Sequence, residues 1–260
     1  MGGFFRASHN AWMRSPDSFA GSVLVRRLSS YSNLSSDDIA ALERADRSSV
    51  EFCRQGDIIR PGDTPPLLFI EDGWALRYLP MTDGDQQVVQ IMLPGDIIDR
   101  AAFLPGARTI TAVKCATDIK ARALCARQLH RALAERAELA KALWLGVLLD
   151  ENRLLEHVAR LGRRSSAEAL AHLLLELRHL HKRIGAMEGE TLTVPLPQPD
   201  IGDLLGITPV HVSRTISSLR HAGLIEMDRP IVRFLNVERM SLFCGFDPAY
   251  LEAGSDNAGG

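Results

Sequence analysis

The stretch from Leu196 to Ile225, LPQPDIGDLLGITPVHVSRTISSLRHAGLI, constrains the fold more than any other part of the sequence. A first helix is predicted to begin at Pro199, where proline's fixed φ and missing N–H cost least, and to end at Gly206. Thr208 is a good N-cap and Pro209 a good first helical residue, so a second helix should follow at once. The stretch therefore predicts two short amphipathic helices joined by a tight turn.

The second of these helices has one apolar face and one polar face. Val212, Ile216 and Leu219 recur at i, i+4 and i+7 and form a stripe that must pack against the first helix. At about 100° per residue, the side chains that fall opposite the stripe or on its flanks are those of Val210, His211, Ser213, Arg214, Ser217 and His221.

Arginine can donate two hydrogen bonds to guanine, serine can contact bases or phosphates, and a valine methyl suits the methyl of thymine. The pattern indicates a helix-turn-helix that lays its second helix on DNA, because the N-terminal part of such a helix reaches furthest into the groove. The alternative is an ordinary helical hairpin in a bundle, with Arg214 merely solvated. The candidate DNA contacts are Thr208, Val210, His211, Ser213, Arg214 and Ser217.

Length and composition exclude several classes of protein. The 260 residues, 46% of them hydrophobic, are enough for two domains with cores. There is no run of about 18 apolar residues and no secretory h-region at the start, so we expect a cytoplasmic protein that does not enter a membrane. Cys53, Cys115, Cys125 and Cys244 are scattered without a C-x-x-C pair, which predicts neither a disulfide framework nor a metal site.

Charge and catalytic motifs narrow the function further. A net charge of −2 is not that of a purely electrostatic nucleic-acid binder, although the part from 160 to 240 is mildly basic. No nucleophile elbow, phosphate-binding loop or H-E-x-x-H motif occurs, so an enzyme is not expected. The histidines at 172, 179 and 181 lie on a helical segment as solvated or packing residues.

Periodicity changes twice along the chain. A helix is predicted around SSDDIAALERA, with Ser36 as its cap, and residues 49–124 then form short runs such as LLFIEDGWALRYL between Gly, Pro and Asp turns. That spacing favours an antiparallel barrel or sandwich of about eight strands. Helical periodicity follows from Ala126 to Ile184, with a break where Ser165 or Ser166 can cap the next helix.

Within the helical region, Leu148, Asn152, Leu155 and Ala159 follow the 4-3-4 spacing of a coiled-coil seam with one polar residue. The alternative is a core helix packed inside a monomer. Residues 191–199 form a Pro-rich connector to the helix-turn-helix, and LIEMDRPIVRFLNV after it predicts a β-hairpin.

The order of these parts resembles the Crp/Fnr family of bacterial transcription regulators. The motifs GDIIRPGD, LLFIEDGWALRY, LPGDII and DLLGITPVHVSRTISSLRHAGLI carry the resemblance, which covers about residues 25–245. It implies an α+β chain with an antiparallel β-roll of double-stranded β-helix or jelly-roll type, a long dimerisation helix and a winged helix-turn-helix. The implied segments are a disordered tail (1–22), a cyclic-nucleotide-binding-like sensor roll (23–126), the dimerisation helix (127–162), the DNA-binding domain (163–245) and a second tail (246–260).

Two departures from the family bear on its ligands. Members that bind cyclic nucleotides hold the ribose with a Gly-Glu pair and the phosphate with an Arg-Ser pair, and the matching positions are Asp99-Arg100 and Ile110-Thr111. The loss of the phosphate-binding arginine predicts that cyclic AMP is not the effector. Asp99, Arg100, Arg108 and Thr111 are the candidate effector-pocket residues, with Arg108 able to replace the lost arginine only if its loop shifts.

The resemblance also bears on cofactors and on the recognition helix. The oxygen-sensing branch uses a cysteine cluster near its N-terminus, and residues 1–50 contain no cysteine, so no cofactor or metal is expected. Members often carry Glu-x-x-Ser-Arg in the recognition helix, where Ser213 and Arg214 are retained but the glutamate is Val210. The half-site should therefore differ at that base pair.

The sequence thus predicts a transcription regulator that binds a palindromic operator as a homodimer. Its expected partners are double-stranded DNA, a second copy of itself, RNA polymerase and an unknown small-molecule effector. The alternative is a ligand-binding module whose helix-turn-helix serves protein interaction.

Overall fold

The computed structural model describes residues 19–54, 56–187 and 189–252, and these residues fold into two compact units. One unit comprises residues 19–77 and 91–141, and the other comprises residues 78–90 and 142–252. This division is interleaved, unlike the linear one that the sequence predicts. None of the described helices is both long enough and apolar enough to cross a membrane.

The first unit is built around the predicted roll. A 3₁₀ helix at Phe19–Gly21 precedes two helices, and the strands follow in chain order. The elements from α1 to α3 are α1 (Val23–Ser29), α2 (Ser36–Ala45), β1 (Asp46–Phe52), β2 (Asp57–Ile59), β3 (Leu68–Asp72), β4 (Ala75–Pro80), β5 (Gln86–Met92), β6 (Ala112–Cys115), β7 (Ile119–Leu124) and α3 (Ala126–Glu135). Most of β5 and the second half of β4 lie within residues 78–90 and so belong to the second unit.

The strands form two sheets, ordered β1-β7-β3 and β2-β6-β4-β5. In the first, β7 pairs antiparallel with both neighbours, with Phe52 opposite Ile119 and Leu68 opposite Ala123. The seven strands of the described residues, with one isolated bridge, compare with the eight predicted. The roll core contains Ile58, Ile59, Leu68, Ile70, Ala75, Met92, Ile98, Val113, Cys115, Ile119 and Ala121.

The predicted cap of α2 is wrong by one residue. Ser35, not Ser36, is the N-cap, because its Oγ accepts from the Asp38 N–H at 3.2 Å and the Asp38 carboxylate accepts from the Ser35 N–H at 2.9 Å. The Ser35 hydroxyl also donates to this carboxylate at 2.7 Å, and this bond, followed by the one from the Ser35 N–H, is the main cause that lowers the pKa of Asp38. A reciprocal capping box fixes where α2 begins.

Phe19 marks a difference from the predicted N-terminal tail. Its ring is buried and lies 5.6 Å from the Arg122 guanidinium, which also binds Glu71 at 2.7 Å and Asp46 at 2.9 Å. The chain is thus tied to the roll from residue 19 onward, while the rest of the predicted tail, residues 1–18, lies outside the described residues.

The predicted single helix over 127–162 is two helices. Arg136 is extended between α3 and the next helix, and its Nη1 lies 3.5 Å from Asp37 and 3.8 Å from Asp38 on α2. The second unit then contains most of α4 (Ala137–Arg163), followed by α5 (Ser166–Arg183), β8 (Thr191–Thr193), α6 (Gln198–Leu205), α7 (Pro209–His221), β9 (Ile225–Asp228), β10 (Ile231–Phe234) and α8 (Val237–Cys244).

The sheet of this unit has three strands rather than a two-stranded hairpin. The predicted hairpin is present as β9 and β10, and β8 pairs with β10, with Leu192 opposite Val232. The segment 191–199 is therefore only partly a connector, because three residues are too few for their alternation to reveal a strand. Both Leu192 and Val232 are buried.

The outer part of the β4–β5 hairpin, residues 78–90, belongs to this second unit. The Gln86 amide donates to the Asp203 carboxylate at 2.6 Å, and the Gln87 amide donates to the Asp203 carbonyl at 2.6 Å. These bonds fasten the hairpin to α6.

The predicted tail after 245 also differs over its described part. A 3₁₀ helix spans Pro248–Leu251, and the Leu251 side chain is 1% exposed. Residues 253–260 lie outside the described residues.

Candidate nucleic-acid interface

The turn between α6 and α7 depends on two glycines. Gly206 caps α6 in the left-handed conformation at φ 65°, which glycine adopts without the usual steric cost. Gly202 faces the turn so closely that a Cβ there would lie 2.5 Å from the Ile207 carbonyl oxygen. The predicted end of the first helix is confirmed, and its start lies at Gln198, one residue before the predicted Pro199. Pro199 still lies in the first turn, where its missing N–H is harmless.

Thr208 begins α7 as predicted. Its backbone is extended, and its Oγ1 accepts from the His211 N–H at 3.2 Å, with Pro209 as the first helical residue. Thr208, one of the candidate DNA contacts, is thus also the N-cap of α7. Its hydroxyl hydrogen stays available to a phosphate oxygen.

The predicted apolar stripe of α7 is buried. Val212 and Leu219 are at most 1% exposed and Ile216 is 7% exposed. Thr215 lies on the same face, and its Oγ1 donates to the His211 carbonyl at 2.9 Å, so that its hydroxyl is satisfied within the helix. This packing fixes which face of α7 stays open.

The open face of α7 carries the other candidate contacts. Val210, His211, Ser213, Arg214 and Ser217 are all exposed, and Val210 keeps 62% of its surface. The Ser217 hydroxyl donates to the Ser213 carbonyl at 3.1 Å, which leaves its oxygen as an acceptor. The structure therefore places one arginine, two hydroxyl groups and one valine together on a solvent-facing helix surface.

The candidate effector-pocket residues have separate structural partners. Asp99 is buried, and its Oδ1 accepts from the Ala101 N–H at 2.8 Å, so that it caps the 3₁₀ helix Arg100–Phe103. Its Oδ2 is buried without a hydrogen bond. Arg108 is exposed and donates to the Gly62 carbonyl at 2.6 Å.

The loop that contains Ile110 and Thr111, the positions that match the phosphate-binding pair of the family, also lacks the features of an anion-binding site. Ile110 is 80% exposed, and the half-buried Thr111 accepts from the Thr109 hydroxyl at 3.0 Å through its backbone carbonyl. An apolar side chain that faces solvent gives a phosphate no donor.

The predicted seam of α4 lies on a surface that is both exposed and apolar. Leu148 and Leu155 are 49% and 62% exposed, and Asn152 and Ala159 are half-buried. The same helix exposes four further apolar side chains, which the heptad pattern did not select. They are Trp144, Leu154, Val158 and Leu161.

The opposite face of α4 holds charged groups that sequence reasoning missed. Arg153, His157 and Arg160 are all buried. The carboxylate of Glu176 on α5 lies 2.6 Å from Arg160 and 3.6 Å from Arg153. The signal in the sequence is a second 4-3 spacing, displaced from the seam by five residues, together with the single glutamate in the LLLELRH run.

Burial and the neighbouring arginines set the pKa values of Glu176 and His172. Burial acts to raise the pKa of Glu176, but Arg160 and Arg153 outweigh it and lower the value to about 2. Burial is the main cause that lowers the pKa of His172 to about 3, and Arg160 and Arg164 add to it. Arg160 therefore faces both an ionised carboxylate and a neutral imidazole on α5, and Arg153 faces the carboxylate.

The remaining histidines of α5 are packing residues. His181 is buried, its Nδ1 lies 2.8 Å from the Leu177 carbonyl, and burial lowers its pKa. His179 is half-buried, and burial is again the first cause of a lowered pKa. The described residues contain no group of three or more His, Cys, Asp or Glu side chains that could hold a metal ion.

Known proteins are similar to the chain in sequence and in fold. The profile of the Crp-like helix-turn-helix domain matches residues 168–243. The nitrogen fixation regulation protein FixK of Bradyrhizobium diazoefficiens is 29% identical over 230 residues, which are 85% of this chain and 92% of that protein. The transcriptional activator protein FnrL of Cereibacter sphaeroides is 28% identical over 185 residues, 69% of each chain.

The solved structure of FixK2 from Bradyrhizobium japonicum matches with a TM-score of 0.67 at 22% identity. The match covers 81% of this chain and 98% of that one. At this identity the match supports a common fold.

Proposed function

The chain belongs to the Crp/Fnr family of transcription regulators, and on that premise we propose that it binds an inverted-repeat DNA site as a homodimer. The observation that carries the proposal is the open face of α7, where Arg214 is exposed between Ser213 and Ser217 above a buried stripe. A helix held in this way can enter the major groove with these side chains foremost.

Each side chain on this face suits a different part of the DNA. Arg214 can donate two hydrogen bonds to guanine, and the Ser217 oxygen can accept from an adenine or cytosine amino group. Val210 offers only methyl groups, so we propose that it contacts a thymine methyl where relatives with glutamate contact cytosine. We propose that Thr208 and His211, at the start of α7, contact phosphates.

We propose that the second copy packs on the exposed apolar face of α4. A soluble protein that leaves Trp144, Leu148, Leu155 and Val158 open to solvent on one helix has a large apolar surface to cover. A two-fold dimer along α4 would also present two copies of α7 to the two halves of a symmetric site.

The roll is proposed to receive a signal other than cyclic AMP. Asp99 is used as a helix cap and Ile110 stands where a phosphate-binding arginine would be required. Contacts with RNA polymerase, and an effector of another chemical class, belong to the same proposal because the family resemblance implies them.

The test is selection of bound duplexes from a random DNA library by the purified protein at fixed, near-physiological salt. Salt must be fixed because phosphate contacts dominate affinity. The proposal expects enrichment of an inverted repeat by the wild-type chain, and a changed motif for the Arg214→Ala variant. A folded chain that enriched no motif, with or without candidate effectors, would instead support the alternative in which the helix-turn-helix binds protein.

A further inference from the structure

The segment after α8, residues 246–252, is named here the C-terminal strap. It lies beyond residues 168–243, the part matched by the helix-turn-helix profile. It is nevertheless packed against two helices, because Leu251 is 1% exposed and Phe246 and Tyr250 are both partly covered.

The strap contacts α5 through rings and hydrogen bonds. The His172 ring lies 5.2 Å from the Phe246 ring and is stacked on the Tyr250 ring at 6.0 Å. The Tyr250 hydroxyl donates to Glu176 Oε2 at 2.9 Å, and Arg183 donates to the Leu251 carbonyl. The strap is thereby held along the buried side of α5.

The strap also contacts α4. The Asn152 amide donates to the Tyr250 carbonyl at 3.3 Å. The Glu176 carboxylate that accepts from Tyr250 is the one that binds Arg160 and Arg153 of α4. Tyr250 therefore bonds to α4 directly through its carbonyl and joins the α4–α5 ion pair through its hydroxyl.

We infer that the C-terminal strap fixes the angle between α4 and α5, and that Tyr250 is a positioning residue for DNA binding. The inference rests on the proposed function, in which α4 joins the two copies and α5 leads into the helix-turn-helix. In such a dimer the angle at each α4–α5 junction sets the separation of the two α7 helices. A rigid junction restricts binding to half-sites of one spacing, since each half-site lies at a fixed distance along the DNA.

A strap with only a stabilising role makes a different prediction. General loss of stability lowers the amount of folded protein and weakens binding to every DNA equally. Loss of positioning leaves the contacts of one α7 with one half-site intact, and weakens only the simultaneous binding of two.

The experiment compares the wild-type chain with Tyr250→Phe, which removes only the hydroxyl that bonds to Glu176. Affinity is measured by fluorescence anisotropy for three duplexes: the selected inverted repeat, the same repeat with one base pair added between half-sites, and a single half-site. Tyr31→Phe is the matched control, because the Tyr31 hydroxyl also makes a hydrogen bond to a charged group: it accepts from Arg27 Nε at 2.8 Å, in the first unit.

We expect Tyr250→Phe to lose about tenfold in affinity for the inverted repeat, as the loss of one buried charge-assisted hydrogen bond allows, and to discriminate less against the altered spacing. Its affinity for the single half-site should stay within about twofold of wild type. A chain that ends at Gly245 should show the same pattern more strongly, and Tyr31→Phe should show none of it.

Equal weakening on all three duplexes, or no change on any, would overturn the inference. In either case a wild-type chain that still selects the inverted repeat leaves the proposed function standing. If the wild-type chain bound none of the duplexes, the proposed function would fail and the inference with it.

Discussion

Arg214 is one of several exposed arginines on the second unit, and its position on α7 distinguishes it from the others. It lies on the open face with Ser213 and Ser217, whereas Arg220 lies further round the same helix. Variants at these two positions therefore allow base recognition, expected of Arg214, to be measured separately from attraction to the phosphates, expected of Arg220.

Replacing Arg214 by alanine is expected to cost roughly 1–3 kcal/mol of discrimination between the preferred base pair and the others. Competition binding with single-base variants of the selected site measures it. Arg220→Ala is the matched control, which should weaken all sequences about equally and lower the salt dependence. Equal weakening of all sequences by Arg214→Ala would mean that the orientation proposed for α7 is wrong.

His172 gives the chain a stability that depends on pH. The folded chain holds the imidazole neutral, because burial and the nearby Arg160 and Arg164 lower its pKa to about 3 from the ordinary 6.5. The other groups that face it are Glu176 on its own helix, Tyr250 on the strap and Glu156 on α4, the last at 3.4 Å. Between these values the unfolded chain binds a proton that the folded chain does not. The stabilisation is therefore complete above the unfolded pKa and is lost as the pH falls.

Urea unfolding should show the free energy of unfolding falling by about 1.4 kcal/mol per pH unit for this histidine below about pH 6.5. His157 adds in the same direction, because burial lowers its pKa to about 4. The His172→Gln variant should have the shallower dependence on pH. Parallel curves for the two proteins would contradict the assignment.

Calorimetry with cyclic AMP tests whether the side chains at the candidate effector positions of the roll bind that ligand. The exposed Ile110 and the helix-capping Asp99 give the cyclic phosphate and ribose no matched partners, so we expect no saturable heat at ligand concentrations up to about the millimolar range. Tight saturable binding would overturn this expectation and would direct attention to a shift of the Arg108 loop.

The elements α6 and α7 were predictable because their signals are local. Gly206, Thr208 and Pro209 fix an end, a cap and a start within four residues, and the structure keeps all three. The capping serine of α5 was likewise limited to two candidates, and Ser165 is the one used.

The buried charges of α4 were not predictable in the same way. Arg153 and Arg160 are buried because Glu176 meets them from another helix, whereas periodicity alone places arginines outside. The strap was not predictable from the sequence for a similar reason. Its position depends on the hydrogen bond from the Tyr250 hydroxyl to the Glu176 carboxylate, which belongs to another helix. The candidate DNA contacts could be placed from the sequence, but the residues proposed to position them could not.

Two helical glycines give opposite predictions at the element scale. A Cβ at Gly202 would lie 2.5 Å from the Ile207 carbonyl oxygen, whereas one at Gly162 in α4 would meet no atom within 4 Å. Gly202→Ala should therefore destabilise the chain by about 1–3 kcal/mol through overpacking. Gly162→Ala should stabilise it by up to about 1 kcal/mol, because alanine favours the helix.

Chemical denaturation of both variants measures these changes, and Gly162→Ala serves as the control for Gly202→Ala. The Gly202 variant should also bind the selected DNA less well, since the turn that orients α7 must move. Stabilisation of both variants would show that the turn can give way without cost.

At the scale of the whole molecule, the apolar face of α4 should decide the oligomeric state. Leu155→Glu puts a charge on the proposed dimer face and is expected to raise the dimer dissociation constant about 100-fold or more. Sedimentation velocity over a range of concentrations measures it. Leu242→Glu is the matched control, since Leu242 on α8 is 81% exposed, more than Leu155 at 62%, and lies on a different helix. A dimer unaffected by Leu155→Glu would place the interface elsewhere.

The hairpin segment that belongs to the second unit governs how the molecule can be assembled and divided. Residues 78–90 leave the ribosome before any of their partners in α6, and residues 91–141 must still return to complete the first unit. Neither unit can therefore finish folding as an uninterrupted piece of chain. A fragment that starts at residue 142 would expose the Asp203 carboxylate and carbonyl that Gln86 and Gln87 now bind. A separately folded C-terminal piece should therefore be harder to obtain from this protein than its linear order suggests.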